Sequence, residues 1–331
     1  MNKIGLLLFL LFIIGGRFQA NAMRNPQPIH HISFKNSVIA EPDPEPYGDF
    51  KTLIVPFKKA GNLIVIEAQI DSVYGNFILD TGAPCLVLNK TYFRDAPHIE
   101  DKDAGGINGL ADRSFKTTIK HLSIFELNYD KLSADVCDLS GIENGRNIKI
   151  LGLLGTRLFN KLAITVDVNQ SVLYIHKLDD KGNIPEAERL FAVADVKTPF
   201  KLLNDVVYLR CAANDQKLWF AFDTGAESNL IDYSRNKKLV RGMRVISRAK
   251  LTGIGNSSFE VITAEFDKLV VGDHEFLKNK AVVTDLDKMG SAYGYSVDAM
   301  LGYDFYSRGI FTLNFVKKEF EMYIYNRDNI K

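Results

Sequence analysis

The chain has 331 residues, of which 46% are hydrophobic and 24% charged, and its formal net charge is +1. This length exceeds the usual size of a single hydrophobic core, so we expect two domains or lobes. The near-zero net charge gives no electrostatic argument for binding nucleic acid or a charged membrane surface.

The chain begins with the features of a secretory signal peptide. Met1–Lys3 precede the apolar run Ile4–Ile14, which is too short to span a bilayer, where about 20 residues are needed. Ala20–Ala22 supplies an A-x-A cleavage site, so residues 1–22 are expected to be removed and the protein exported to the periplasm or the outside. An uncleaved anchor is the alternative, because Arg17 lies between the apolar run and the cleavage site; stable membrane insertion is not expected.

Residues 23–50 are predicted to form a linker or pro-region. Acids and prolines alternate in the stretch Glu41–Pro46, and such a composition favours an extended, solvated backbone over a packed core. An inhibitory pro-segment is the alternative for this region.

From residue 51 the sequence indicates β structure. Leu63–Ile70 and the run ending at Leu79 are predicted strands joined by a turn around Gly75, and Cys85–Leu88 is a third strand. The further predicted elements of this first lobe, residues 51–180, are a glycine-rich segment at 104–109, strands at 114–119 and around 122–127, a short helix within 151–159, and a hairpin of 163–168 with 171–175.

The second half of the chain repeats the first after a charged stretch at 178–187. The run Phe77–Ala83, with the sequence Phe-Ile-Leu-Asp-Thr-Gly-Ala, recurs as Phe220–Ala226, and the later apolar-apolar-Gly and the final hairpin recur in the same order. The offsets are 223 − 80 = 143 at the aspartates and 302 − 155 = 147 at the later glycines. This is an internal repeat, which makes residues 188–331 a second lobe.

The predicted fold is therefore all-β, with two related lobes, each a closed or partly closed barrel, and a cleft between them. Each repeat presents one acid, Asp80 or Asp223, at the end of a buried strand. Two carboxylates brought close together share one proton. The ionised member can take a proton from water while the protonated member donates to a carbonyl oxygen, which is general acid-base hydrolysis of an amide.

The paired motifs resemble those of the aspartic peptidases, the bilobal pepsin-like and dimeric retropepsin-like enzymes. The family pattern is Asp-Thr/Ser-Gly at the end of a buried strand, completed by a later apolar-apolar-Gly. Here Asp80-Thr81-Gly82 pairs with Leu153-Leu154-Gly155, and Asp223-Thr224-Gly225 pairs with Met300-Leu301-Gly302. The alanine after each motif glycine is similar to the retropepsins.

The resemblance implies that Asp80 and Asp223 are the catalytic dyad. It implies that the neighbouring hydroxyls lock the two loops together and that the glycines approach the catalytic water; these supporting residues are Thr81, Gly82, Thr224 and Gly225. It also implies substrate contacts at Gly106 and Ile107 in a flap, and at Glu227. Pepsins carry a tyrosine on this flap, and residues 104–115 contain none.

We therefore predict an exported aspartic endopeptidase that acts on peptide or protein substrates as a monomer, its two lobes forming a pseudo-dimer. No metal or cofactor is expected, since the six histidines show no metal spacing, and C-x-x-C, H-E-x-x-H and G-x-S-x-G are absent. Two alternatives remain, a catalytically silent peptide-binding protein of the same fold and a protease limited to its own processing.

The three cysteines, Cys85, Cys137 and Cys211, cannot all pair within one chain. They permit one disulfide plus a free thiol, or they serve as three small buried residues.

Overall fold

The computed structural model describes residues 13–15, 43–106, 109–110, 114–144, 146–191, 193–252, 258–286 and 297–325. The strands in chain order are β1 (Ile13–Gly15), β2 (Thr52–Pro56), β3 (Lys58–Ala60), β4 (Leu63–Ile70), β5 (Val73–Leu79), β6 (Leu86–Asn89), β7 (Glu100–Gly106), β8 (Gly109–Leu110), β9 (Ser114–Ile124), β10 (Leu127–Cys137), β11 (Gly152–Leu154), β12 (Ala163–Asp167), β13 (Val172–His176), β14 (Val196–Leu203), β15 (Val206–Ala213), β16 (Gln216–Phe222), β17 (Leu230–Asp232), β18 (Arg244–Thr252), β19 (Ser258–Val271), β20 (His274–Thr284), β21 (Ala299–Leu301), β22 (Gly309–Asn314) and β23 (Glu319–Ile324). The helices are α1 (Lys90–Phe93), α2 (Ser140–Asn144), α3 (Lys237–Arg241) and α4 (Tyr303–Tyr306), with 3-10 turns at Thr156–Phe159 and Glu186–Glu188.

Each lobe is a curved sheet that closes on itself. In the first lobe the strand order is β7-β9-β10-β6-β11-β5-β4-β3, and β4 also pairs with β9, with Ile70 opposite Leu122. The second lobe repeats this order as β18-β19-β20-β17-β21-β16-β15-β14, and β15 pairs with β19, with Cys211 opposite Val271. Because each sheet closes on itself, backbone N–H and C=O groups that would otherwise be unpaired at a strand edge form hydrogen bonds. The all-β, two-lobe prediction is confirmed.

The two lobes are joined by a sheet to which both contribute three strands, in the order β14-β23-β22-β12-β13-β2. Its central pair, β12 and β22, comes from equivalent places in the two repeats, with Thr165 opposite Thr312. Their hydroxyl oxygens lie 2.8 Å apart, and the buried ring of His176 lies 3.0 Å from Thr165 Oγ1 and 2.9 Å from Thr52 Oγ1. A line of buried polar side chains therefore crosses the lobe boundary.

Two details of the predicted strands were wrong. The first turn is at Asp71, which has a φ of 50°, and Gly75 lies inside β5, where a Cβ would come within 2.6 Å of Leu151. The second error concerns the two strands expected at 114–119 and 122–127, because a single unbroken strand, β9, covers residues 114–124. Alternate burial continues through residue 124, and Asp71 Oδ1 accepts the N–H of His121 at 2.9 Å.

The last eight residues of the predicted linker, 43–50, lie against the first lobe rather than in solvent. Asn160 Nδ2 donates to Asp43 Oδ1 at 2.9 Å. The backbone of Tyr47 pairs with that of Asn128 through two hydrogen bonds, of 3.0 and 2.8 Å. Polar contacts therefore anchor this segment, although none of its residues is buried, and its interpretation as a linker or pro-region stays a prediction.

The predicted signal peptide lies outside the described residues except for β1, which pairs antiparallel with β7. Among the residues that the structure describes, no helix is long and apolar enough to cross a membrane. No disulfide joins Cys85, Cys137 and Cys211, and the last two are buried. Cys137 and Cys211 thus fit the second of the two alternatives, small buried residues, whereas Cys85 is partly exposed and its thiol donates to Asp135 Oδ2 at 2.7 Å.

Candidate active site

Two buried strands, β5 and β16, carry the candidate site at their carboxyl ends. Each runs parallel to a short strand that bears the later apolar-apolar pair, with Ile78 opposite Leu153 and Ala221 opposite Met300. The strands are apolar on both faces because the barrel core lies on one side and the second core layer on the other. Where they end, Asp80 and Asp223 follow directly.

The later glycines of the motif are required by close approach of two backbones. A Cβ at Gly155 would lie 2.1 Å from the carbonyl oxygen of Cys85, and one at Gly302 would lie 2.5 Å from that of Ser228. No side chain fits at these distances, so only glycine lets the end of β11 or β21 meet the adjacent Asp-Thr-Gly loop. This explains why an apolar-apolar-Gly accompanies each motif.

The two motif threonines cross-link the loops. The N–H of Thr81 donates to Thr224 Oγ1 at 3.0 Å, and the N–H of Thr224 donates to Thr81 Oγ1 at 3.0 Å. Each hydroxyl in turn donates to a carbonyl of the opposite strand, Thr81 to Phe222 O at 2.8 Å and Thr224 to Leu79 O at 2.7 Å. These four buried hydrogen bonds cross the lobe boundary symmetrically and hold the loops against each other.

Backbone N–H groups of the two Asp-Thr-Gly loops also orient the carboxyl groups of Asp80 and Asp223. The N–H groups of Gly82 and Ala83 donate to Asp80 Oδ1 at 2.9 and 3.1 Å. The N–H of Gly225 donates to Asp223 Oδ1 at 2.7 Å. Asp80 therefore receives two backbone donors on one oxygen and Asp223 one.

The carboxyl of Asp80 lies directly against the other loop. A Cβ at Gly225 would come within 2.7 Å of Asp80 Oδ1 and 2.9 Å of Oδ2. Asp80 is 2% exposed and Asp223 is fully buried, and no N–H or O–H of the described residues donates to Asp223 Oδ2. A proton held between the two carboxyls would provide the missing donor.

Burial raises the pKa of both carboxyls above the ordinary value of aspartate. At Asp223 the neighbouring charge of Asp80 and the hydrogen bond with Asp80 act in the same direction and outweigh the N–H groups of Gly225 and Gly82, so the pKa of Asp223 lies well above its usual range. At Asp80 the hydrogen bond with Asp223 and the N–H groups of Gly82 and Ala83 oppose burial. The pair therefore titrates as a unit that holds one shared proton.

Tyr306, in the second lobe, links the loop that carries Asp223 to the first lobe. The buried hydroxyl of Tyr306 lies 3.1 Å from the carbonyl oxygen of Thr224 and 3.2 Å from that of Asn62, and donates to this pair. Asn62 is in the turn between β3 and β4. This turn of the first lobe thus reaches across to the loop that carries Asp223.

Glu227 also binds the turn that contains Asn62. Its Oε1 accepts the N–H of Asn62 at 2.9 Å, and its Oε2 accepts Nη2 of Arg146 at 2.7 Å. Arg146 is itself fixed, donating through Nε to the carbonyl of Ala60 at 3.2 Å and through Nη1 to that of Ile142 at 3.1 Å. The ion pair joins the two lobes four residues beyond Asp223, with Arg146 only 7% exposed. Both oxygens of Glu227 face the first lobe, so its substrate contact stays a prediction.

The other predicted substrate contacts are placed only in part. Gly106 ends β7 and pairs with Gly109 of β8, while Ile107 lies outside the described residues. In the part of the chain that the structure describes, no cluster of histidine, cysteine or acidic side chains is suited to hold a metal ion.

Sequence reasoning missed Arg146, Asn62 and Tyr306. The sequence did contain a signal, because the two repeats have different residues at some aligned positions. The offset of 147 aligns Tyr306 with Phe159, and the offset of 143 aligns Glu227 with Pro84. Positions where a duplicated chain differs between lobes mark contacts that only one lobe makes.

Comparison with known proteins agrees with this site. Residues 209–305 match the family model described as aspartyl protease, and this stretch contains Asp223-Thr224-Gly225 and Gly302. No curated protein sequence matches the chain.

Among solved structures, the chain is similar to the aspartic proteinase from Irpex lacteus, with 12% identity and a TM-score of 0.51 over 84% of this chain and 99% of that one. It is also similar to basic 7S globulin from soybean, with 10% identity and a TM-score of 0.43 over 82% and 94% of the two chains. The first likeness shows the bilobal fold. The family match over the second lobe, the bilobal fold and the paired loops support an aspartic peptidase, which is a hydrolase.

Proposed function

We propose that this protein is an exported endopeptidase that hydrolyses peptide bonds with a water molecule activated between Asp80 and Asp223. The observation that carries the proposal is the burial of both carboxyls against two loops that the threonine hydrogen bonds hold in symmetric positions. Such preorganisation fixes the reacting groups before substrate arrives. The signal-peptide pattern of residues 1–22 supports export.

The different surroundings of the two acids assign their roles. Asp80, with two backbone donors on one oxygen, is the ionised member and takes a proton from the water. Asp223, whose Oδ1 accepts one backbone N–H, gives the shared proton to the carbonyl oxygen of the scissile bond. The water oxygen bonds to the carbonyl carbon, which gives a tetrahedral intermediate with two hydroxyl groups. As the C–N bond then breaks, the amine leaves with the proton that Asp80 took up, and one hydroxyl of the intermediate returns a proton to Asp223, so the carboxylic acid product forms and the dyad is restored. No bond forms between enzyme and substrate.

The substrate we propose is an extended polypeptide. It would lie in the cleft between the lobes under the hairpin that contains Gly106, with main-chain hydrogen bonds fixing its register. We expect cleavage within a chain rather than at its ends.

Digestion of denatured casein across a pH series, with and without pepstatin, tests this function. The exported protein is compared with Asp80→Asn and Asp223→Asn, and Asp180→Asn serves as the matched control because Asp180 is exposed and far from the motif in sequence. We expect acid-favoured cleavage that both dyad variants lose by at least about 1000-fold and the control retains. Undiminished cleavage by both dyad variants would overturn the proposal.

A further inference from the structure

The second lobe carries a strongly basic stretch that the active site does not use. From Arg235 to Lys250 the sequence contains seven basic residues and no acidic one, so this stretch has a charge of +7 and the rest of the chain 1 − 7 = −6. The first lobe has nothing similar. Its equivalent stretch, which begins at 235 − 143 = 92 and ends at 250 − 143 = 107, contains two basic and four acidic residues, a charge of −2.

The first part of this stretch is helix α3. Its Leu239 is 1% exposed and packs into the core, whereas Lys237, Lys238 and Arg241 are exposed. Helical spacing places these three cations on one side, away from Leu239. No described acid forms an ion pair with any of the three, so their charges are not neutralised locally.

The second part is β18, whose only partner among the described strands is β19, so it lies at the edge of the described sheet. Residues 244–248 are exposed at five consecutive positions, so both faces of the strand stand clear of the lobe. The pairing shifts between Val245 and Ser247, a β-bulge that leaves Ile246 without a partner. Val245 and Ile246 are 48% and 44% exposed, between Arg244 and Arg248.

These features favour a flat partner over a polypeptide. Five exposed positions in a row form a projecting ridge rather than a groove, and the bulge and charges of β18 disfavour the addition of another strand at this edge. Cations beside exposed aliphatic side chains and an exposed tyrosine, here Tyr233 at 57%, are the pattern of segments that lie in the headgroup region of a bilayer.

We propose that residues 233–248, the basic ridge, bind the surface of an anionic lipid bilayer. Lys237, Lys238 and Arg241 are attracted to the lipid phosphates, and Val245 and Ile246 enter the headgroup layer. Two other cations of the ridge are paired within the protein, Arg244 with Glu265 at 2.7 Å and Arg235 with Asp232 at 3.6 Å. This contact is peripheral and does not require catalysis. It would hold the exported enzyme at a membrane with its second lobe against the lipid.

Co-sedimentation with vesicles tests the ridge, using protein purified in its exported form. Vesicles of phosphatidylcholine containing one third phosphatidylglycerol are compared with phosphatidylcholine alone, at low and high salt. We expect binding only to the anionic vesicles and its loss at high salt. The triple variant Lys237→Gln/Lys238→Gln/Arg241→Gln should lower the partition coefficient about 100-fold, since each surface cation contributes roughly fivefold. Adding Val245→Ser/Ile246→Ser to the triple variant should weaken the remaining binding to anionic vesicles.

The matched control is Lys59→Gln/Lys120→Gln/Lys149→Gln, which removes the same charge from exposed positions of the first lobe. It should stay within about twofold of the unaltered protein. Equal losses in the two triple variants, or no binding of the unaltered protein to anionic vesicles, would overturn the proposal. Binding to polyglutamate without binding to vesicles would overturn it in favour of an acidic polypeptide partner.

Discussion

The two aspartates occupy the same place in two copies of one motif, yet their surroundings differ. Asp80 accepts two backbone N–H groups on one oxygen, whereas Asp223 accepts one and has an oxygen to which no described group donates. The motif predicted that two carboxyls would meet. It could not predict which one holds the proton, because that depends on N–H directions within loops of identical sequence.

Replacing the more strongly perturbed acid should stabilise the protein at neutral pH. The folded-state pKa of Asp223 is raised, so the folded protein binds more protons than the unfolded chain, and stability is lost as pH rises through the folded pKa. Asp223→Asn keeps an acceptor for the N–H of Gly225 and removes the charge. We expect its melting temperature to exceed that of the unaltered protein by several degrees at about pH 7, and the difference to shrink at about pH 3.

Thermal unfolding monitored by circular dichroism at both pH values measures this effect. Asp180→Asn, at an exposed position, should show no such difference. An Asp223→Asn variant that melts at or below the unaltered protein at neutral pH would contradict the raised pKa.

At the scale of elements, the strands with clear apolar runs were predictable and the contacts between lobes were not. β4, β6, β12 and β13 lie where alternation or apolar runs indicated them, because burial against the barrel core dictates those patterns. The turn that carries Asn62 and the loop that carries Arg146 have no periodicity. Their positions follow from single hydrogen bonds between residues far apart in sequence, which local patterns do not encode.

The ion pair of Arg146 with Glu227 should contribute more to stability and to kcat than an exposed ion pair of equal length. Arg146→Met leaves Glu227 largely buried without its cation, and we expect a loss of about 1.5–3 kcal/mol in the free energy of unfolding. Because the pair holds the loop of Asp223 rather than substrate, kcat should fall while KM changes little. Urea unfolding and steady-state cleavage of a quenched peptide measure the two effects.

Lys58→Met is the matched control for this pair. Lys58 forms an ion pair of the same 2.7 Å length with Glu67, but both side chains are exposed and belong to one lobe. Its loss should leave the free energy of unfolding and kcat nearly unchanged, because solvent screens an exposed pair. A rise in KM at constant kcat in Arg146→Met would instead support the predicted contact of Glu227 with substrate.

At the scale of the whole molecule, duplication explains both the symmetry and its breaks. The offset grows from 143 at the motifs to 147 at the later glycines, so four extra residues of the second lobe lie between these points, in the part of the chain that includes the basic ridge. The shared sheet and the threonine hydrogen bonds preserve the twofold relation where chemistry needs it. The outer surfaces, free of that constraint, have diverged in charge.

The measurement that tests the central claim most directly is the pH dependence of kcat/KM for cleavage of a quenched peptide. A dyad that works with one shared proton predicts a bell-shaped profile whose two apparent pKa values belong to the pair, with the alkaline limb above the ordinary range of aspartate. Both Asp80→Asn and Asp223→Asn should abolish the profile. A rate that stays constant from acid to neutral pH, or survives either substitution, would contradict catalysis by this pair.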